Sequence, residues 1–298
     1  LILSTIANGG IFMATFYNQA TLSYNGNLAS SNITAGEILE NLFVTKTPVN
    51  SNYSADRDNS YVISIVNNSS VSYDNVTITD DLGEYVFNPP DDSVVPLTYI
   101  ADTVRYFVNG IPQADPSVAS ENPLTITGIS VPAGGNAVIV YSARANNFAP
   151  LGEEASITNA ATVSGDGFTD ISASSTTTPE NSAFLSISKS LSPAAIEENG
   201  RVTYTFTIQN NGSIAVDASD DVIFRDDFTP PLTNITATFN GTPWIEEVNY
   251  NYSAASGVFT SLEGQITVPA ATYVQDPSTG AWSVQPGIST LVISGNIT

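Results

Sequence analysis

Ile157-Thr158-Asn159-Ala160-Ala161-Thr162-Val163-Ser164-Gly165-Asp166-Gly167 reads as a strand closed by a turn, and it has an earlier copy in Phe16-Tyr17-Asn18-Gln19-Ala20-Thr21-Leu22-Ser23-Tyr24-Asn25-Gly26. The alternate positions, Ile157, Asn159, Ala161 and Val163 in one and Phe16, Asn18, Ala20 and Leu22 in the other, form an apolar face broken by a single asparagine. This is how the last strand of a sheet with one buried face is written. The later copy closes a long β-rich region, whereas the earlier one precedes any region that could hold it. A second β-rich region runs to Thr298 with no third copy, so the pattern predicts a spare strand at one side and a gap at the other.

The two regions match from their openings. Leu42-Phe43-Val44-Thr45-Lys46-Thr47-Pro48 corresponds to Leu185-Ser186-Ile187-Ser188-Lys189-Ser190-Leu191. Tyr61 to Asn68 corresponds to Tyr204 to Asn211, and Val76-Thr77-Ile78-Thr79-Asp80-Asp81 to Val222-Ile223-Phe224-Arg225-Asp226-Asp227. Asn109-Gly110 and Asn240-Gly241 are hairpin turns between β-rich runs. Further strands are expected over Leu124–Ile129, Ala137–Ala143, Gln265–Val268 and Ser289–Ser294, and no helical period of useful length occurs. The expectation is an all-β protein: two tandem immunoglobulin-like β-sandwiches plus an N-terminal donor strand. The divisions are an extension with the donor strand over 1–27, a connector over 28–40, sandwich one over 41–167, a linker strand over 168–181, and sandwich two, lacking its last strand, over 182–298. Asn18 precedes Lys46 by 28 residues and Asn159 precedes Lys189 by 30, so the spare strand stands before sandwich one as sandwich one's last strand stands before sandwich two.

Composition narrows the function. The 298 residues carry 29 acidic against 7 basic side chains, a net charge of −22 that repels nucleic acid and anionic lipid. No apolar run is long enough to span a membrane. With no cysteine and no histidine, thiol chemistry, disulfides, the common acid–base switch and the commonest transition-metal ligand are all missing. Neither a cofactor nor a metal site is expected, and the acidic clusters Asp56/Asp58, Asp91/Asp92 and Asp217/Asp220/Asp221 read as solvated surface. Residues 1–12 start apolar but have no basic region and no clear cleavage site, so they do not read as a signal peptide.

Only two lysines occur, and they fall at matching places. By strand parity Lys46 shares a face with Leu42 and Val44, and Lys189 with Leu185 and Ile187. Asp80 lies with Val76 and Ile78, Asp226 with Val222 and Phe224, and the two asparagines with the apolar positions already named. All six are therefore expected to face a core, where an unpaired charge costs several kcal/mol. One solution is a buried Lys–Asp pair with asparagine as hydrogen-bond partner. The other is reaction: apolar surroundings favour a neutral amine and a protonated acid, so the amine can attack the asparagine amide while the acid polarises it. The product is an isopeptide bond, with ammonia lost.

The Lys-(Ser/Thr) opening, the Val-Thr-x-Thr-Asp middle and the Ile-Thr-Asn-x-Ala-Thr-Val ending resemble the conserved-repeat family of bacterial surface modules, a domain of unknown function with an immunoglobulin-like fold. They also resemble the isopeptide-forming domains of Gram-positive pilins and adhesins. The resemblance covers nearly residues 13–298. It implies a bond between Lys46 and Asn159, promoted by Asp80. The second region departs from the pattern, having Lys189 and Asp226 but no asparagine on a final strand of its own; no sortase sorting signal is found either.

The missing partner is then Asn18 of another copy, with residues 14–24 added to that copy's open sheet and Phe16, Ala20 and Leu22 buried there. Such contacts are head-to-tail and do not close, which is filament geometry. The expected function is a structural subunit of an extracellular bacterial filament, a homopolymer on a cell or spore surface, with self-crosslinking as its only chemistry and no enzymatic turnover. The alternative is an adhesin or stalk module that binds a carbohydrate or protein ligand.

Overall fold

The structure, a computed structural model, describes residues 13–24, 26–39, 42–88, 92–197 and 199–297; residues 1–12 and Asp91 lie outside these. No described helix is long and apolar enough to cross a membrane.

The chain begins with β1 (Met13–Asn18), β2 (Thr21–Tyr24), β3 (Asn27–Ser30) and β4 (Thr34–Leu39). Strand β2 pairs with β3 and β1 with β4, so residues 13–39 form one long hairpin. Gly26, at a φ of 78° that side chains resist, lets the chain reverse between Tyr24 and Asn27. The residues expected to be a connector are therefore half of a strand pair. Ser30-Ser31-Asn32 carries no apolar alternation, which is the only strand signal short sequences offer. Among the described residues neither arm of the hairpin pairs with a strand of either sandwich.

Sandwich one contains β5 (Leu42–Pro48), β6 (Asp58–Asn67), β7 (Tyr73–Asp80), β8 (Leu124–Val131), β9 (Asn136–Ala145), β10 (Ile157–Ser164) and β11 (Ile171–Pro179). One sheet runs β5-β6-β9 and the facing sheet β8-β7-β10-β11, with antiparallel pairing throughout both runs. Period-2 alternation sends Ile63, Ile65, Ile78, Ile126, Ile139 and Val163 into the space between them, each fully buried. Burial of each such side chain is worth about 1.5–3 kcal/mol. The segment 168–181, read above as a linker strand, contains β11, which pairs with β10 along its length and so belongs to this sandwich. Its Ser/Thr-rich sequence hid the fact, because β11 buries only one face, and between Ile171 and Pro179 that face is Ala173, Ser175 and Thr177.

Sandwich two contains β12 (Leu185–Ser192), β13 (Arg201–Asn210), β14 (Arg225–Asp227), β15 (Leu232–Phe239), β16 (Tyr250–Ser253), β17 (Val258–Ser261) and β18 (Gly287–Ile297). The larger sheet runs β12-β13-β18-β15 and the smaller β14-β17-β16. A separate core gathers Phe206, Phe224, Phe228, Phe259, Leu291 and Ile293. The strand expected over Val222–Asp227 is formed only by Arg225–Asp227, and that over Gln265–Val268 is reduced to a single bridge between Val216 and Val268. Both shortened segments belong to the thinner side. Strand β7 has β10 as a neighbour, but the matching edge of β14 is unpaired among the described residues.

Asn67 and Asn210, each 21 residues after a lysine, are fully buried. Asn67 Nδ2 donates to the carbonyls of Val71 and Pro132, and Asn210 Nδ2 to those of Ile214 and Pro269. They pin equivalent loops, which accounts for the shared spacing without chemistry. Trp282, on a hairpin arm of sandwich two, donates through Nε1 to Tyr85 Oη of sandwich one at 3.0 Å, while Trp244 stacks on Phe239 within its own sheet.

Candidate functional site: a lysine, a carboxyl and an asparagine in a sandwich core

Strand β5 carries Lys46 on one sheet of sandwich one, and β7 and β10 carry Asp80 and Asn159 on the other. Facing sheets bring the three together, as parity required. Lys46 Nζ donates to Asp80 Oδ2 at 2.6 Å, and both side chains are fully excluded from solvent. The second carboxyl oxygen, Oδ1, accepts the Leu82 N–H at 3.1 Å.

Sequence reasoning missed Tyr141. Its hydroxyl donates to the same Asp80 Oδ2 at 2.6 Å and accepts from Asn159 Nδ2 at 3.2 Å. The expected direct contact between acid and amide is thus replaced by an Asp80–Tyr141–Asn159 chain. A tyrosine at core parity within Ala137–Ala143 was the available signal, since a buried phenol needs a partner. Tyr61 stacks on Tyr141 with ring centroids 5.5 Å apart, and Lys46 Nζ lies 5.5 Å from the Tyr61 ring and 5.9 Å from the Tyr141 ring.

Electrostatics push this cluster toward neutrality. Burial lowers the pKa of Lys46 below the usual amine range, and the opposing attraction of Asp80 does not restore it. Burial raises Asp80, against the lowering effect of Lys46, Tyr141 and the Leu82 N–H. Tyr141 is held well above the usual phenol range by burial and by Asp80, so its proton stays on. Among the described residues the buried side-chain atoms without a hydrogen-bond partner are Asn159 Oδ1, Tyr61 Oη, Ser175 Oγ and Thr177 Oγ1. Ser175 faces Asn159 and Thr177 faces Ile157 across β10 and β11, so these atoms crowd around one amide. A buried unpaired polar atom costs about 1–3 kcal/mol, and this concentration marks a place where packing has been overridden.

Sandwich two repeats half of the arrangement. Lys189 Nζ donates to Asp226 Oδ2 at 2.6 Å and sits 4.7, 5.2 and 5.3 Å from the rings of Tyr204, Phe206 and Phe228. The expectation that Lys189 is buried does not hold within this chain: its side chain is 42% exposed and that of Asp226 19%. The cause is the missing neighbour of β14, which in sandwich one is β10 and covers Lys46. On the same uncovered face Ile187 is 56% exposed, and a groove of about 190 Å³ opens between Leu185, Ile187, Ile208, Val222, Phe224 and Ile266. Where Tyr61 pairs with Tyr141, Tyr204 pairs with Ile293, so the bridging hydroxyl has no counterpart here. Asn18 is exposed on the hairpin, its backbone paired with Thr34.

No protein-family model matches the chain, and no curated protein does. Among solved structures it is similar to BcpA, the major pilin subunit of Bacillus cereus, at 11% identity over 95% of this chain and 74% of that one, with a TM-score of 0.37. It is also similar to the RrgB pilus backbone of Streptococcus pneumoniae, at 12% identity over 82% of this chain and 55% of that one, TM-score 0.31. A third likeness is to the collagen-binding subdomain of the Enterococcus faecalis surface protein ACE, at 9% identity over 46% of this chain and 97% of that one, TM-score 0.31. Likenesses this distant carry no weight for function, which is read below from the chain's own geometry.

Proposed function

We propose that the chain is the structural subunit of an extracellular bacterial filament, in which one copy donates β-structure to the next and lysine–asparagine bonds make the fibre covalent. One observation carries this reading. The same site is complete in sandwich one and open in sandwich two, while a hairpin bearing the missing strand's Asn-x-Ala-Thr-(Leu/Val)-Ser pattern pairs with neither sandwich among the described residues.

Within sandwich one the reaction joins Lys46 Nζ to Asn159 Cγ and breaks the Cγ–Nδ2 bond. Burial lowers the pKa of Lys46 and raises that of Asp80, which favours the neutral amine and the neutral acid that the reaction uses. After attack, Asp80 gives its acid proton through the Tyr141 hydroxyl, which is bonded to both Asp80 and Nδ2, to the departing nitrogen, and takes the surplus proton from Nζ in its place. Ammonia leaves, the acid and phenol end as they began, and no buried charge remains. Between copies the same bonds would form and break, joining Lys189 Nζ to Asn18 Cγ once the donated strand shields Lys189 and Asp226 from water, with Asp226 passing the proton to the departing nitrogen directly because Ile293 stands where Tyr141 does.

Filaments boiled in SDS test the junction. The expected result is a ladder at multiples of 31.3 kDa that collapses to monomer in Lys189→Ala and in Asn18→Ala. Wild-type chains that run as monomers under every assembly condition overturn the covalent filament, and a ladder that survives both substitutions overturns the assigned bond.

A further inference from the structure

In sandwich one the element that completes the core is two-stranded. Strand β10 pairs with β7, and β11, paired with β10, lies along β5 on the far side, so the edges of both sheets are covered by one hairpin. Ile171 of β11 packs on the core, Thr177 and Pro179 are buried, and the Ser175 hydroxyl is buried opposite Asn159. Sandwich two is open at both matching places: among the described residues β14 has no partner where β7 has β10, and β12 is exposed along its length except at Leu185.

The free segment has the corresponding form. Asn18 faces Thr34 as Asn159 faces Ser175, and Leu22 faces Ala29 as Val163 faces Ile171. The return strand has one extra residue between these pairs, within 31–33, which β11 lacks. The tether is of similar length, with Lys46 12 residues after Thr34 and Lys189 14 residues after Ser175. Glu37 is the only charged residue between 13 and 39 in a chain of net charge −22, while Tyr17, Leu22, Tyr24 and Leu28 are 55–70% exposed. A hairpin meant to stay in water is guarded by charge or proline; this one is not, and burying it costs little desolvation.

From this correspondence we propose that the donated element is the whole hairpin 13–39 of a second copy: β1–β2 fills the place of β10 beside β14, and β3–β4 takes the place of β11 over β12. The proposal rests on the filament reading and specifies its joint. It makes the contact between copies a repeat of the contact within one copy, with Thr34 and Ala29 turned inward.

Because the chain has no cysteine, single introduced thiols report cover. Full-length chains with Thr34→Cys, Ala29→Cys or Ser30→Cys are each labelled with a maleimide before and after assembly. The first two should label at least tenfold more slowly in filaments. Ser30, paired with Thr21 on the outward face, should label equally well in both when replaced. Thr34→Lys, at an exposed position, should leave the monomer's melting temperature unchanged and prevent assembly. Filaments in which the Thr34→Cys and Ala29→Cys chains label as fast as the monomers overturn the hairpin while sparing donation by a single strand. Protection of the Thr34→Cys thiol in a chain that remains monomeric or closes into a dimer overturns both the hairpin exchange and the filament.

Discussion

Replacing Asn159 by alanine tests the chemistry where the geometry is complete. If Lys46 and Asn159 are joined, the wild-type chain weighs less than its sequence by one ammonia per bond, about 17 Da by the stoichiometry of acyl transfer, and Asn159→Ala abolishes the loss due to the first sandwich. The bond closes a loop from residue 46 to residue 159, about 110 residues, for which the chain-entropy relation used for disulfides gives about 4.7 kcal/mol. At roughly 2–4 °C per kcal/mol for a domain of this size, the first sandwich should melt about 10–20 °C lower. If no bond has formed, the substitution deletes only the neutral hydrogen bond from Asn159 Nδ2 to Tyr141, worth about 1 kcal/mol. Intact-mass spectrometry and calorimetry of the full chain read the two effects. A wild-type mass equal to the sequence mass, with a melting shift of no more than about 4 °C on substitution, the value of the hydrogen bond alone, would refute the reasoning and leave a buried ion pair in its place.

Tyr141→Phe removes the hydroxyl between Asp80 and Asn159 but keeps the ring stacked on Tyr61. Loss of ammonia, followed by mass after refolding from denaturant, should slow by about 10²-fold or more, the usual worth of a positioned proton carrier. Tyr61→Phe, which leaves the Asp80–Tyr141–Asn159 chain intact, should slow the loss far less than Tyr141→Phe; equal slowing by both variants would make the effect one of packing. The unreacted Asn159→Ala chain also makes a pH prediction. Asp80, raised above its ordinary 3.8, alone contributes stability that is lost as pH rises from that value; Lys46, lowered from 10.5, alone contributes stability that is lost as pH falls from it. A neutral pair and an ion pair hold the same single shared proton, so these slopes cancel between the two values. The unreacted sandwich should hold a level melting temperature from about pH 5 to 9 and lose stability beyond either end; a steady slope across that window would contradict the shared proton.

Much of this was legible in the residues because strands have a period of two. Alternation sets which face each residue takes, so Lys46, Asp80 and Asn159 could be assigned to one core before any sheet was assembled, and the repeated Asn-x-Ala-Thr pattern exposed the unmatched strand. The hairpin turns at Asn109-Gly110 and Asn240-Gly241 followed from the left-handed φ values those residues tolerate. Polar strands were not legible. Strand β11 and the return arm of the N-terminal hairpin are rich in Ser, Thr and Asn, and their identity lies in a partner's register, which no local pattern carries.

Only the tertiary structure decided how the groups in the core are connected. Parity places a side chain on a face but not at a height or angle on it, so the sequence did not reveal that Tyr141 stands between Asp80 and Asn159. Nor did it reveal that Ile293 occupies the matching place in sandwich two. The exposure of Lys189 is tertiary in the same sense: its strand has the right alternation, but burial requires a neighbour across the gap, and within this chain β14 has none among the described residues.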